Sequence, residues 1–266
     1  MSPLSLRCAD SVLTVSPFGA QALSWTSKGA DRLWLSQTAD LSGRLPIRGG
    51  VPLCFPWFGK KPDGPSHGFA RTEHWQVVEQ VESGKQALLT LELSDSERTR
   101  AVWPHRFRAR MQFVLRADQL AMALTITNTD HHAWSFTGAL HGYFATEVAG
   151  LNLPELAGLP HIDKLAKSES LFDDGPGAPL PPIPVDAIVP GLTTLRLPQG
   201  ASWLHLENRG HDATVVWNPG PNPGIGDLHP GGEAQFLCLE SAWVLEPKVL
   251  KPGESHTLGQ RLTVTG

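Results

Sequence analysis

Phe107-Arg-Ala-Arg-Met-Gln-Phe-Val-Leu115 and Gln119-Leu-Ala-Met-Ala-Leu-Thr-Ile-Thr127, joined by Arg116-Ala-Asp118, carry the reading of the fold. Both runs are rich in residues that suit strands, and three residues between them make a hairpin. Outward from this pair the text stays the same. Upstream lie Trp75–Val81 and Gln86–Leu93, parted by a Ser83-Gly84 turn, and before them short alternating runs from Ser5 to Leu35 broken at Pro17, Gly19 and Gly29. Asp95 to Val102 is polar and reads as a short helix or a loop. Downstream, Asn128-Thr129-Asp130 is a turn and Trp134–His141 begins another strand. Further strands are expected at Thr193–Leu197, Ser202–Leu206, Thr214–Trp217, Gln235–Leu239 and Arg261–Thr265. Leu151 to Pro190, with its Gly/Pro-rich middle, reads as one long surface loop. Many short strands with Gly/Pro turns and no helix of three turns in the first half imply an all-β sandwich, with residues 1–266 as a single domain.

Composition narrows the partners. Hydrophobic residues are 41% of the 266, enough for a full core, and charged residues only 18%. Nine Trp and ten Phe stand beside one Tyr. They supply large packing units and faces on which a sugar ring can stack. A formal net charge of −4 argues against nucleic acid or an anionic membrane as the main ligand. Cys8, Cys54 and Cys238 are odd in number and far apart. They read as free thiols of a reducing compartment, and with no signal-like or membrane-spanning run the expected location is the cytoplasm. No coiled coil or other dimerisation motif is visible, so monomer is the default.

One stretch is neither helix nor long strand: Arg48-Gly-Gly-Val-Pro-Leu-Cys-Phe-Pro-Trp-Phe-Gly59, continued by Ser66-His67-Gly68-Phe69-Ala70-Arg71-Thr-Glu-His-Trp75. A loop so rich in apolar residues has to bury them. Arg48, His67 and Arg71 are then left either to face an anionic ligand or to serve as surface arginines and a structural histidine. This run, with the later GALHGYF, HIDK, VVWNPG…GDL and FLCLES, resembles the hexose-6-phosphate mutarotases, the glucose-6-phosphate 1-epimerase branch of the aldose 1-epimerase family. The likeness runs from the first strands to the C-terminus. It implies the large antiparallel β-sandwich of the galactose-mutarotase-like type and a cofactor-independent interconversion of the α and β anomers of a hexose 6-phosphate, a small-molecule sugar phosphate being the partner.

That chemistry needs a base for the anomeric hydroxyl and an acid for the ring oxygen, held on opposite sides of the O1–C1–O5 unit. His141 and Glu240 are the candidates. On the residues alone His141, at the end of an apolar strand, is a structural histidine or a catalytic one. Glu240, taken as following the strand Phe236–Leu239, is either paired structurally or kept for function, with burial raising its pKa. The resemblance implies that His141 is the acid and Glu240 the base, with Glu233 and Glu246 set aside as solvated. It also implies that His67 orients the sugar, that Arg48 and Arg71 grip the phosphate, and that Asp186 contacts sugar hydroxyls. The flanking text there, Pro184-Val-Asp-Ala-Ile-Val189, departs from the family's Glu-x-Asp-Arg-x-Tyr. Ser66 replaces a common Gln and keeps a donor for phosphate. Gly142 stands where Ser or Thr is common, loosening a hydrogen bond, and Gly220 replaces an aromatic, widening the mouth. Trp217 and Asn218 are expected near the site. Asp163-Lys164 and Asp227 read as structural, their carboxylates forming turns or caps.

No metal or other cofactor is expected. The eleven histidines form no HxH or HExxH cluster, and adjacent His131 and His132 would point to opposite faces of a strand. GxSxG, the P-loop and GxGxxG are absent. Two other functions fit the same sandwich: a non-catalytic sugar-phosphate-binding protein, and a mutarotase of unphosphorylated aldoses whose arginines hold the loop together.

Overall fold

A computed structural model describes residues 2–266 apart from 174, 176 and 177; Asp174, Pro176 and Gly177 of the expected long loop thus lie outside the described residues. The fold is all-β, built from three antiparallel sheets. The site sheet runs in the order Ser168–Leu171, Pro160–Asp163, Val185–Pro190, Ala213–Asn218, Phe236–Leu250, Trp134–Leu140 and Leu53–Cys54, with Tyr143–Ala145 also paired to Phe236–Leu250. The backing sheet runs Thr194–Gln199, Ser202–Arg209, Ser255–Thr265, Gln119–Asn128, Phe107–Leu115, Ala87–Ser94 and Gln76–Glu82. A small sheet of Leu4–Cys8, Ser11–Ser16, Gln21–Ser27 and Ala30–Asp31 lies against the end of the backing sheet.

The hairpin at 107–127 forms as the sequence implies, with Leu115 opposite Leu120. Its alternation is strict: Phe107, Ala109, Met111, Phe113 and Leu115 are buried on one face while Arg108, Arg110 and Gln112 stay exposed on the other. Those buried side chains, Leu6, Leu13 and Trp25 of the small sheet, and Leu140, Val216, Leu237 and Leu239 of the site sheet belong to one continuous core. The polar stretch after Ser94 becomes the two-turn helix Glu97–Val102, whose Ser96 caps it in a reciprocal box with Thr99.

Two expectations are corrected. The segment 151–190 is not loop throughout, for it supplies three strands of the site sheet. Val185, Ala187 and Val189 do alternate inward, but prolines on both sides masked the pattern. Ser168–Leu171 is exposed at every residue, so no hydrophobic period marks it. The strand starting at Phe236 does not stop at Leu239 either; it runs fifteen residues to Leu250. The polar pair Glu240-Ser241 looks like a terminus in sequence, whereas both are buried in mid-strand.

That strand explains why a carboxylate can be buried here. Successive side chains point to opposite faces, and Leu237 and Leu239 enter the main core. Phe236, Cys238 and Ala242 point the other way, into two small clusters under the covering loops, and Glu240 shares their face. The stretch 48–59 is one such cover. Leu53 and Phe55 go into the core while Cys54 faces outward. Phe55 meets Phe69, Trp103, Phe107 and Phe136 edge-on at 5.2–6.2 Å, pairs each worth ~0.5–1.5 kcal/mol beyond area burial. Backbone bonds then tie the second half of the motif to the first: Phe55 N to His67 O, Ala70 N to Phe55 O, and His67 N to Gly59 O.

Candidate active site

Above the outward face of the site sheet lies a cavity of about 310 Å³. Its wall contains Arg48, Ser66, His67, Arg71, His141, Asp186 and Glu240, every residue that the sequence singled out for substrate or chemistry. Phe58, Tyr143, Lys164, Val215 and Trp217 complete it. Register brings the two central groups together. Leu140 pairs with Ser241 and Tyr143 with Cys238, so His141, between them, stands beside Glu240. His141 Nε2 lies 3.3 Å from Glu240 Oε1. They are side by side in contact, not across the cavity from one another as the sequence reading expected.

The electrostatics of the pair follow from burial. Glu240 is 1% exposed and His141 8%. Burial pushes the Glu240 carboxyl well above its ordinary range, with Lys164 and Arg71 opposing and Asp186 adding to the rise. Burial, reinforced by neighbouring His67 and by the positive fields of Arg71 and Arg48, holds the imidazole of His141 well below the usual histidine value. Each charge alone is disfavoured, so the pair carries one labile proton between them. Oε2 of Glu240 and Nδ1 of His141 are buried without a protein partner. A buried acceptor left open costs about 1–3 kcal/mol, which a ligand hydroxyl could recover.

His67 is a different histidine. Its Nδ1 accepts the Gly59 amide hydrogen at 3.3 Å and lies 3.3 Å from Cys54 Sγ. Burial and the neighbouring Arg71, Lys164 and Arg48 lower its pKa to about 3. It is therefore neutral with its hydrogen on Nε2, a hydrogen-bond donor and not a proton carrier.

The arginines are held from behind. Arg48 donates from Nε to Asp227 Oδ1 at 3.1 Å and from Nη1 to Tyr143 Oη at 2.8 Å. Burial opposes its charge, yet the Tyr143 oxygen and the Asp227 carboxylate outweigh burial and keep the guanidinium above the ordinary arginine value. Arg71 Nη2 donates to Ser66 O at 2.6 Å, while its Nε is buried without a partner. Ser66 thus meets Arg71 through its backbone carbonyl, and among the described residues its hydroxyl makes no hydrogen bond. Lys164 Nζ lies 3.0 Å from Asp186 Oδ1 and above the ring of Phe58. Three cations and two carboxylates line the cavity, a local positive balance in a chain of net charge −4.

Several sequence readings change. Lys164, read as structural, is a wall residue. It directly follows the strand Pro160–Asp163, which the expected long loop hid. Asp163 does form a turn, accepting from the amides of Leu165 and Ala166, whereas Asp227 lies in a turn closed by Leu228 N and Ile225 O and its carboxylate pairs with Arg48. Tyr143 was missed, and the signal that could have found it is its place two residues beyond His141, on the same face. Its ring stacks on His141 with centroids 5.0 Å apart. Trp217 reaches the cavity, but Asn218 is turned away and donates to the carbonyls of Glu233 and Phe236. Gly220 is not in the wall, and a Cβ there would meet Pro184. Among the described residues no three His, Cys, Asp or Glu side chains converge as metal ligands would.

Comparison with known proteins bears on the family and the fold. The aldose 1-epimerase family profile matches residues 4–263. Proteins of Salmonella typhimurium and Escherichia coli, both named "Putative glucose-6-phosphate 1-epimerase", are 32% and 34% identical, each match spanning 92% of this chain and 84% of the relative. A Salmonella typhimurium crystal structure described as a "putative mutarotase" superimposes with a TM-score of 0.88 at 28% identity, covering 99% of this chain and 90% of that one. The galactose 1-epimerase of Lactobacillus acidophilus, at 15% identity, shares the fold with a TM-score of 0.78, over 99% of this chain and 94% of its own.

Proposed function

The chain belongs to the aldose 1-epimerase family and is a sugar isomerase, and from that premise we propose that its substrate is a hexose 6-phosphate, with His141 and Glu240 as the acid and base. The observation that carries this reading is the 3.3 Å contact of His141 and Glu240 in one cavity with Arg48 and Arg71. O1 and O5 of a pyranose share a carbon, so the groups that serve them have to be neighbours.

The proton count fits. In its ion-paired form the pair holds one proton, on His141. Glu240 takes the hydrogen of O1 as His141 gives its own to O5, and the C1–O5 bond breaks to leave the aldehyde. The pair still holds one proton, now on Glu240, which is the neutral form that burial favours. Rotation about C1–C2 turns the other face of the carbonyl to O5. Closure reverses both transfers and yields the other anomer. Each positioned group is worth roughly 10²–10⁴ in rate. Arg48 and Arg71 suit a dianionic phosphate through charge-assisted hydrogen bonds. His67 donates to a sugar oxygen, Asp186 accepts from hydroxyls, and Trp217 gives the ring an aromatic wall.

One observation favours unphosphorylated aldoses instead: Arg71 and Arg48 already bond Ser66 O and Asp227, as loop-holding arginines would. The anomerisation of α-glucose 6-phosphate and of free α-glucose, followed by exchange NMR with the spontaneous rate subtracted, separates the two. Acceleration of the ester alone is expected, and Arg71→Ala should raise KM for the ester at least tenfold. Equal acceleration of both sugars, with equal losses in the variant, would refute the phosphate assignment.

A further inference from the structure

We propose that Tyr143 sets the specificity of this cavity: its hydroxyl fixes Arg48 toward the anionic end of the substrate and gives its own hydrogen to the same end. The proposal rests on the phosphate reading above and extends it to a residue outside the grip itself. Arg48 donates to Tyr143 Oη at 2.8 Å and to Asp227 at 3.1 Å. Two anchors on different atoms of one planar group fix its plane. Among the described residues Nη2 of Arg48 bonds to nothing, so its hydrogens are left for a ligand. The phenol is in the same position. Burial raises its pKa, so it stays protonated. With Arg48 as the donor to its oxygen, the phenolic hydrogen finds no acceptor among the described residues. Tyr143 lines the cavity, and a phosphate oxygen there would meet a guanidinium and a phenol together, both through bonds strengthened by the ligand's charge.

The ring has a second task. It lies nearly parallel to His141, with centroids 5.0 Å apart and planes 10° apart, and it stacks on Trp34 at 5.9 Å. Tyr143 thus joins the anion grip to the acid, and its two contacts can be removed separately. Tyr143→Phe keeps the stacks and loses the hydroxyl. Tyr143→Leu loses both.

Inorganic phosphate, titrated by calorimetry into wild type and both variants, is the probe, alongside kcat and KM for α-glucose 6-phosphate. For Tyr143→Phe the expectation is a tenfold or larger loss of phosphate affinity, a matching rise in KM, and kcat within about twofold. Tyr143→Leu should lower kcat as well. Phosphate binding equal in Tyr143→Phe and wild type would overturn the proposal, as would a fall in its kcat at unchanged KM, which would put the hydroxyl in the chemistry. A wild type that binds no phosphate sinks the phosphate reading first, and the role of Tyr143 with it.

Discussion

Glu240 and His141 show at the scale of one residue how a fold changes chemistry. Neither is unusual in sequence. The strand that carries Glu240 places its carboxyl at 1% exposure, and desolvation penalises the charged form. Addition of a second proton to the pair means charging His141, whose pKa lies well below the usual histidine value. Loss of the single proton means leaving an anion on Glu240, whose pKa is raised. The pH profile of kcat/KM should therefore have its acid limb below the ordinary histidine range; an acid-side inflection near pH 6.5 would contradict this. Glu240→Gln should lower kcat by about 10²-fold or more in a protein that unfolds at the wild-type temperature, and near-normal turnover would remove it as the base. Gly142 is the other instructive residue. A Cβ there would meet the ring of Phe144 at 2.6 Å and Gln260 Oε1 at 3.4 Å, and that oxygen is buried without a donor. The side chain common in relatives would therefore serve the core and not the sugar, and the hydrogen bond that Gly142 forgoes is one to Gln260.

At the scale of elements, the site depends on how 66–71 lies on 55–59. Gly68 has φ +73°, and a Cβ on it would come within 2.1 Å of Phe55 O. The backbones approach so closely because they exchange hydrogen bonds on both sides of Gly68. Gly68→Ala should cost about 3 kcal/mol or more in denaturant unfolding, from left-handed strain and displaced backbone together. Gly29→Ala is the matched comparison. Its φ is +74°, and nothing lies within 4 Å of the new Cβ, so only strain of about 1 kcal/mol is expected. Equal losses in the two variants would show that the close approach does not matter. The strands around Lys164 and Asp186 teach the opposite lesson. Pro160–Asp163, which ends just before Lys164, is only four residues long, and the alternation of Val185–Pro190 sits between prolines, so neither stands out as a strand in the sequence.

Across the whole molecule the charges are segregated. The chain is net negative, yet Arg48, Arg71 and Lys164 meet in one cavity, so a phosphorylated sugar would be drawn by a local field that the surface does not provide. Raising ionic strength from 0.02 to 0.5 M (the Debye length falling from about 20 to 4 Å) should raise KM for the ester several-fold and leave any KM for free glucose unchanged. A salt-independent KM for the ester would argue that the cations are already neutralised by Asp227 and Asp186. The sequence by itself determined the all-β class, the 107–127 hairpin and the seven candidate residues, because alternation and turn chemistry are local and the motifs stand as written in the chain. Only the tertiary structure decided that Glu240 is interior to a long strand and touches His141, that Lys164 and Tyr143 join the wall, and that Asp227 supports Arg48. Those facts depend on register between strands and loops far apart in the chain, and no local pattern encodes which partner a strand will find.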